Sequence, residues 1–360
     1  MKILLLAGEE SGVIYANQIR AELLRLCPTA EIRGYGDYGF EIGDLAVMGV
    51  VAVLKRIFYF LRVKRTMERA IDEWRPDAVC TVDYPGMNLK LAAYAKAKGI
   101  RAVHVVCPQV WAWKQGRIPK IEAALDKLCC FFPFEPAIFR PGFAEFVGHP
   151  LVETFEKGAN AYRHVKEPRL TLAVLPGSRV GEIEKHLPVL KEVVTALGDI
   201  RVVIPAANER VQKLICEEVA TWRDGDVEVT QGEARKALAR ADAAIVASGT
   251  ATLEAALIGC PTVLVYKVGW VFAFLARRFI KGVRHVGLAN IIAEKAGVPC
   301  PMPELLQENF TSQNVLAALK PWLTDASANA EARHALERTM TLLRSDGNAL
   351  AKIARLVMSK

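Results

Sequence analysis

The chain alternates short, nearly continuous apolar runs with longer stretches in which apolar residues recur every three or four positions. Runs of the first kind occupy residues 3–7, 30–36, 78–84, 102–106 and 128–133, then 170–175, 201–205, 227–230, 243–247 and 262–265. Stretches of the second kind fall at 11–26, where Ser11 reads as the N-cap, and at 183–197, 209–220, 234–241 and 252–258. A continuous apolar run predicts a strand buried on both faces; a period near 3.6 predicts a helix with one face on the core. Strands and helices in alternation predict parallel sheets covered on both sides, the α/β class. The pattern runs twice, with a polar interval at 157–168 that carries Gly158 and Pro168. Beyond Thr311 it is helical only, punctuated by Pro321 and Gly347. The expected architecture is two doubly wound, Rossmann-like domains, 1–165 and 166–325, facing a cleft. A helical tail over 326–360 is expected to pack back on the first domain.

Composition narrows the class without changing it. A length of 360 residues suits two domains, and 52% hydrophobic with 24% charged residues excludes a mainly disordered, collagen-like or coiled-coil chain. The 47 Lys and Arg against 39 Asp and Glu leave a net charge of +8. That excess suits nucleic acid, nucleotide phosphate or an acidic membrane, and equally a merely basic surface. No nucleic-acid module is recognisable, and few aromatics interleave with the basic residues, so no nucleic-acid partner is expected. Of the eight cysteines, Cys129 and Cys130 are adjacent and the rest stand alone, with no C-x-x-C pair. They read as buried small hydrophobes in a reducing compartment, and no metal site is expected. No apolar stretch reaches the ~18 residues of a membrane span, and the opening apolar run is too short for a signal peptide. A cytoplasmic location is the expectation.

In doubly wound sheets, ligands bind beyond the carboxyl ends of the strands, so the loops there are where chemistry is sought. Leu175-Pro176-Gly177-Ser178-Arg179 joins a strand to a helix. Gly177 admits close backbone approach, the helix start offers free N–H groups, and Arg179 adds a forked cation, so Gly177, Ser178 and Arg179 form a candidate phosphate loop without the Walker pattern. The alternative is an ordinary strand-to-helix turn. Ser248, Gly249, Thr250 and Thr252 repeat the arrangement, and Glu254 can accept from a ribose diol or complete a capping box. Two such loops in one domain make the second half the candidate nucleotide domain. In the first half, Gly8-Glu9-Glu10-Ser11-Gly12 lacks the dinucleotide fingerprint, while Glu9 and Asp83 at strand ends are candidate general bases toward a hydroxyl. Either carboxylate is also explicable as a turn cap or surface ion pair. Trp111 and Trp113, at alternate positions, are expected one in the core and one lining the cleft.

One further segment is apolar and basic. Val50, Val53, Leu54, Ile57, Phe58 and Leu61 fall on one helical face, with Lys55, Tyr59 and Arg62 opposite and Arg56, Lys64, Arg65 and Arg69 nearby. Such a helix can lie in an anionic membrane interface, or it can be a core helix with a solvated basic face.

Taken in order, the loops resemble a known family. The markers are Ala7-Gly8-Glu9 with Ser11-Gly12, Leu45-Ala46-Val47-Met48-Gly49, Asp83 with Pro85 and Asn88, and Pro108-Gln109-Val110-Trp111-Ala112-Trp113. They continue with Phe132-Pro133-Phe134-Glu135, Val147-Gly148-His149-Pro150, the 175–179 and 247–254 loops, Leu288-Ala289-Asn290-Ile291 and Pro303-Glu304-Leu305-Leu306-Gln307. Over nearly the whole length they are similar to those of lipid-A-disaccharide synthases, inverting glycosyltransferases of the GT-B fold. The resemblance implies transfer of diacylglucosamine from UDP-2,3-diacylglucosamine to the 6-hydroxyl of 2,3-diacylglucosamine 1-phosphate (lipid X). It makes Asp83 and Glu9 the catalytic carboxylates and places Ser11, Gly12, Asn88, Gln109 and Trp111 at the acceptor. Gly177, Ser178, Arg179, Ser248, Gly249, Thr250, Thr252, Glu254, Asn290, Glu304 and Gln307 would surround the UDP-sugar. Helix N-termini and Arg179 would meet the phosphate charge, so no metal and no cofactor are implied. The lipid substrates give the Val50 to Leu61 face a purpose, contact with the cytoplasmic leaflet of the inner membrane as a peripheral protein. A homodimer is compatible with the helical tail. Val13 stands where the family usually has Asp, and the chain between Tyr35 and Ile42 is shorter than in typical members. A related UDP-sugar enzyme with another acceptor, or a non-catalytic paralogue, is the competing reading.

Overall fold

The computed structural model describes residues 1–41, 45, 56–157, 167–222, 227–269 and 283–359. They form two six-stranded, all-parallel sheets. The first contains β1 (Lys2–Ala7), β2 (Glu31–Arg33), β3 (Ala78–Val82), β4 (Arg101–Val105), β5 (Lys127–Cys130) and β6 (Ala144–Phe146), in the order β2-β1-β3-β4-β5-β6. The second contains β7 (Thr171–Leu175), β8 (Arg201–Ala206), β9 (Val227–Gln231), β10 (Ala243–Ala247), β11 (Thr262–Tyr266) and β12 (Glu304–Leu306), in the order β12-β11-β10-β7-β8-β9.

The continuous apolar runs have a direct structural cause. Along β1, Ile3 and Leu5 face one layer of helices while Leu4 and Leu6 face the other, so every position from Ile3 to Ala7 is buried. One layer brings Ile19 and Leu23 of helix Glu10–Leu26; the other brings Val63, Met67 and Ile71 of helix Ile57–Trp74. The second sheet repeats this, with Leu172 and Val174 against Ile183 and Leu190 and, on the opposite face, Ala173 and Leu175 against Leu238 and Ala255. The strands β6 and β12 were not expected from the pattern. Each is a three-residue edge strand carrying Glu and only half-buried, too short and too polar to register as an apolar run.

By contacts the chain divides into one unit of Met1–Glu153 with Leu343–Lys360, and another of Thr154–Leu342. The tail expected as one piece over 326–360 is therefore split. Helix Ala326–Thr341 stays with the second unit, where Arg333 donates to the carbonyls of Gly259 and Ala241, both at 3.0 Å, and Asn329 donates to that of Asp242 at 2.8 Å. Helix Ala349–Met358 lies on the first unit, its Ile353, Ala354 and Val357 packed with Ile19 and Leu23. The physical difference is plain: the first helix carries polar side chains that satisfy loop carbonyls, the second a continuous apolar stripe. Most of the expected 157–168 linker lies outside the described residues.

Candidate functional site

The second unit has a cavity of about 390 Å³ beyond the carboxyl ends of β7, β8 and β10. It sits where strand order reverses, since β8 lies on one side of β7 and β10 on the other. Gly177, Ser178 and Arg179 line it from one side and Ser248, Gly249 and Thr250 from the other, so the two loops singled out in the sequence do meet. Helices Val180–Ala196 and Thr250–Ile258 start there, turning unpaired N–H groups and positive dipole ends toward the space. Gly177 has φ +124°, a conformation a side chain would strain.

Three residues that sequence reasoning passed over brace this loop. Glu182 Oε1 accepts from Arg179 Nη1 at 3.0 Å and from the Tyr266 hydroxyl at 3.1 Å. His186 is fully buried, and its Nε2 accepts from the Lys267 N–H at 3.0 Å. Its Nδ1 must then carry the proton, donated to the Pro176 carbonyl at 2.7 Å. Burial holds this imidazole below its ordinary pKa, and the hydrogen bonds partly oppose that. His186 thus ties the loop after β7 to the chain after β11. At 183, 186, 187 and 190 it falls on the helix's buried face, so in sequence it looks like one more core position.

The remaining expected nucleotide residues lie elsewhere. Thr252 is buried and donates to the Gly249 carbonyl at 2.7 Å, locking the helix start. Glu254 completes no capping box; its Oε1 accepts from Arg235 Nε at 2.9 Å and Nη2 at 2.7 Å. Asn290, Glu304 and Gln307 do not line the 390 Å³ cavity. Asn290 is fully buried, with Nδ2 donating to Met302 O (2.7 Å) and Glu304 Oε1 (2.9 Å). Glu304 also accepts from the N–H groups of Val286 and Gly287, at 3.0 and 3.1 Å, and so holds the start of helix Leu288–Ala296. The Gln307 amide pairs with both main-chain groups of Val268 at 3.2 Å. This network adjoins the cavity loops through the Tyr266–Val268 stretch, but it buttresses main chain.

In the first unit, Glu9 and Asp83 converge at the carboxyl ends of β1 and β3. Glu9 occupies the N-cap of helix Glu10–Leu26, yet its side chain makes no cap hydrogen bond. Burial raises its pKa, and the Asp83 charge raises it further. Asp83 and Tyr84 both adopt positive φ, +50° and +52°. The Asp83 turn is held by its own N–H to Val105 O (2.9 Å), by Tyr84 N–H to Oδ1 (2.8 Å), and by Asn88 Nδ2 to its carbonyl (2.8 Å). Burial pushes the Asp83 carboxyl up, and the Tyr84 N–H partly offsets this. Gly8 lies flat under the Tyr84 ring, where a Cβ would come within 2.3 Å of a ring carbon; only glycine permits that contact.

The expected acceptor residues separate into two groups. Ser11 and Gln109 are exposed. Gly12 is buried, a Cβ there meeting the Val82 carbonyl at 3.3 Å, so its role is close helix-to-strand packing. Asn88 has no exposure; it also donates to Leu6 O and Val82 O, both at 3.2 Å, and accepts from the Tyr35 hydroxyl at 2.8 Å. Its hydrogen bonds go to Tyr35 and to the main chain at the strand ends beside Asp83, so it supports that turn from within. Trp111 is buried, with Nε1 donating to Glu135 Oε1 at 3.1 Å, whereas Trp113 is 42% exposed beneath the Lys114 ammonium. The segment is a turn, with Trp113 N–H bonded to Gln109 O, and that turn separates the two rings.

On helix Ile57–Trp74, Phe60, Val63 and Met67 face the core while Ile57, Phe58 and Leu61 are exposed, Phe58 by 82%. Val50, Val53 and Leu54 lie outside the described residues. Among the described residues, no helix is long and apolar enough to cross a membrane.

A family model described as Lipid-A-disaccharide synthetase matches residues 3–356. The chain belongs to that family. Members of the lipid-A-disaccharide synthetase family are glycosyltransferases, and this chain is one. It is 36% identical to the lipid-A-disaccharide synthase of Anaeromyxobacter sp. (strain K), over 97% of this chain and 95% of that one. To the synthase of Alteromonas mediterranea it is 37% identical, over 88% and 87%. Among solved structures it is similar to MurG of Acinetobacter baumannii, with a TM-score of 0.63, 15% identity and coverage of 100% and 99%. It is also similar to the Neisseria meningitidis UDP-GlcNAc 2-epimerase bound to UDP-GlcNAc, with a TM-score of 0.62, 11% identity and full coverage of both chains. These likenesses agree with the two doubly wound sheets read from the strand pattern and with the GT-B fold that the family resemblance implies.

Proposed function

We propose that this family member moves diacylglucosamine from UDP-2,3-diacylglucosamine to the 6-hydroxyl of 2,3-diacylglucosamine 1-phosphate, releasing UDP. The observation that carries this reading is the cavity at the strand-order reversal, into which two helices open beside Arg179. Free N–H groups and a guanidinium converging on one space suit a diphosphate, whose charge grows as the glycosyl bond breaks. Arg179, steadied by Glu182, meets that charge.

The first unit supplies the proton chemistry. Asp83 takes the proton of the attacking hydroxyl, whose oxygen bonds to the anomeric carbon as the bonding pair leaves with UDP, inverting the centre. Burial raises both carboxyls, and the Asp83 charge raises Glu9 further, so each takes up a proton at a higher pH than a free carboxylate. The exposed Ile57, Phe58 and Leu61, beside Arg62 and Arg65, suit an anionic leaflet holding the acyl chains of both substrates.

The test is UDP release from UDP-2,3-diacylglucosamine with and without lipid X, with mass spectrometry of the lipid product. Acceptor-dependent release and a disaccharide product are expected. Release with some other acceptor only, or UDP binding without turnover, overturns the assignment while leaving the nucleotide cavity in place.

A further inference from the structure

Beyond the groups used so far, Cys107, Cys130 and Glu135 bring two thiols and a carboxyl together, their ligand atoms all within 4.8 Å of one another. All three are buried, at 4%, 0% and 2% exposure. Sequence spacing gives no hint of this, because the cluster is built by register. Val105 of β4 pairs with Cys129 of β5, so Cys107 just beyond one strand and Cys130 at the end of the other emerge together. Glu135 returns to them through the tight turn that precedes Pro136–Ile138.

The dimensions suit zinc. Tetrahedral zinc with Zn–S of about 2.3 Å and Zn–O of about 2.0–2.2 Å sets its ligand atoms roughly 3.5–3.8 Å apart, inside the observed limit. Both Glu135 oxygens are already oriented, Oε1 by the Trp111 Nε1–H and Oε2 by the Phe132 N–H, each at 3.1 Å. Such hydrogen bonds to a ligating carboxylate fix its direction. The Pro108 carbonyl oxygen lies 3.3 Å from Cys107 Sγ, near the sulfur-to-oxygen spacing of a tetrahedral ion, and is the candidate fourth donor. Thiolates favour zinc over magnesium or calcium, and the absence of an exposed face suits a structural ion rather than one that binds substrate.

We propose that Cys107, Cys130 and Glu135 hold one structural zinc ion that staples the 107–113 turn to the end of β5. On binding, zinc displaces the two thiol protons, and any proton on the carboxyl, to solvent; no oxidant or reductant takes part. The ion is separate from the transfer chemistry proposed above and stands whether or not that reading holds.

The experiment uses the full chain, expressed with zinc and kept reduced, and measures metal content after dialysis against a chelator. About one zinc per chain is expected. Refolding with cobalt(II) instead should give a thiolate-to-cobalt charge-transfer absorption, present in Cys216→Ser and Cys300→Ser and lost in Cys107→Ser and Cys130→Ser. Trp111→Phe should weaken the metal roughly ten- to a hundredfold. Should the serine variants fail to fold, the wild-type stoichiometry still decides. Fully reduced wild-type protein without stoichiometric zinc, a cuprous ion in its place, a disulfide between Cys107 and Cys130, or an undiminished cobalt band in both serine variants overturns the proposal.

Discussion

Asp83 sits in a backbone conformation that costs a non-glycine residue roughly 1–3 kcal/mol, and its carboxyl is driven from water. Strain and desolvation at one residue make Asp83 the candidate to test for chemistry. Asp83→Asn removes the buried charge and leaves the turn, since asparagine tolerates the same positive φ. The expected result is loss of turnover, UDP affinity unchanged within about twofold, and a raised melting temperature. Retained turnover would remove Asp83 as base. Its raised pKa fixes the direction of the pH effect: the acid is protonated at a higher pH than a free aspartate, so kcat/KM on falling pH drops away above the ordinary value of about 4. A limb at or below that value contradicts the assignment. Asn88 is the positioning counterpart. In Asn88→Ala, three carbonyls lose a donor and the Tyr35 hydroxyl loses its acceptor, which at about 1–3 kcal/mol for a buried group left unpaired predicts marked destabilisation. A kcat loss larger than any change in KM, in variant protein shown by circular dichroism to be folded, separates positioning from acceptor binding.

Helix Val180–Ala196 shows why an element can hide its function. Its pattern predicts a core-facing helix, which it is, yet His186 on that face holds the 175–179 loop against the chain after β11. His186→Phe keeps ring and burial but frees Pro176 O and Lys267 N–H, so UDP affinity should fall about tenfold with secondary structure intact; titration calorimetry reads this, and unchanged affinity would demote the brace. Central strands such as β3, β7 and β10 were legible because both faces are buried and every residue is apolar or small. The edge strands β6 and β12 were not, since a short half-exposed strand with Glu carries no distinct period. The loops followed the same logic. Gly177 to Arg179 and Ser248 to Thr250 could be placed because strand ends in a doubly wound sheet converge. Asn88, Asn290, Glu304 and Trp111 could not, because a polar side chain satisfied within a turn and one facing a ligand are written with the same letters.

At the scale of the whole molecule, a net charge of +8 and the exposed Ile57, Phe58 and Leu61 are two separate sources of attraction to an anionic surface. Long-range attraction to an anionic bilayer is screened by salt over about 8–10 Å, whereas burial of Phe58 and its neighbours in the interface is not. The two contributions are therefore separable. Wild-type protein should sediment with vesicles rich in anionic lipid, less at high salt, and only weakly with zwitterionic ones. Phe58→Ser, at a position 82% exposed, should leave the melting temperature within about 1 °C, because a surface change away from packing alters stability by only a few tenths of a kcal/mol. It should nevertheless cut vesicle binding by about tenfold, since burying a phenyl ring is worth about 1.5–3 kcal/mol. Arg62→Glu with Arg65→Glu should instead reduce the salt dependence. Vesicle binding untouched by Phe58→Ser, in protein of unchanged stability, would mean that this patch meets something other than lipid.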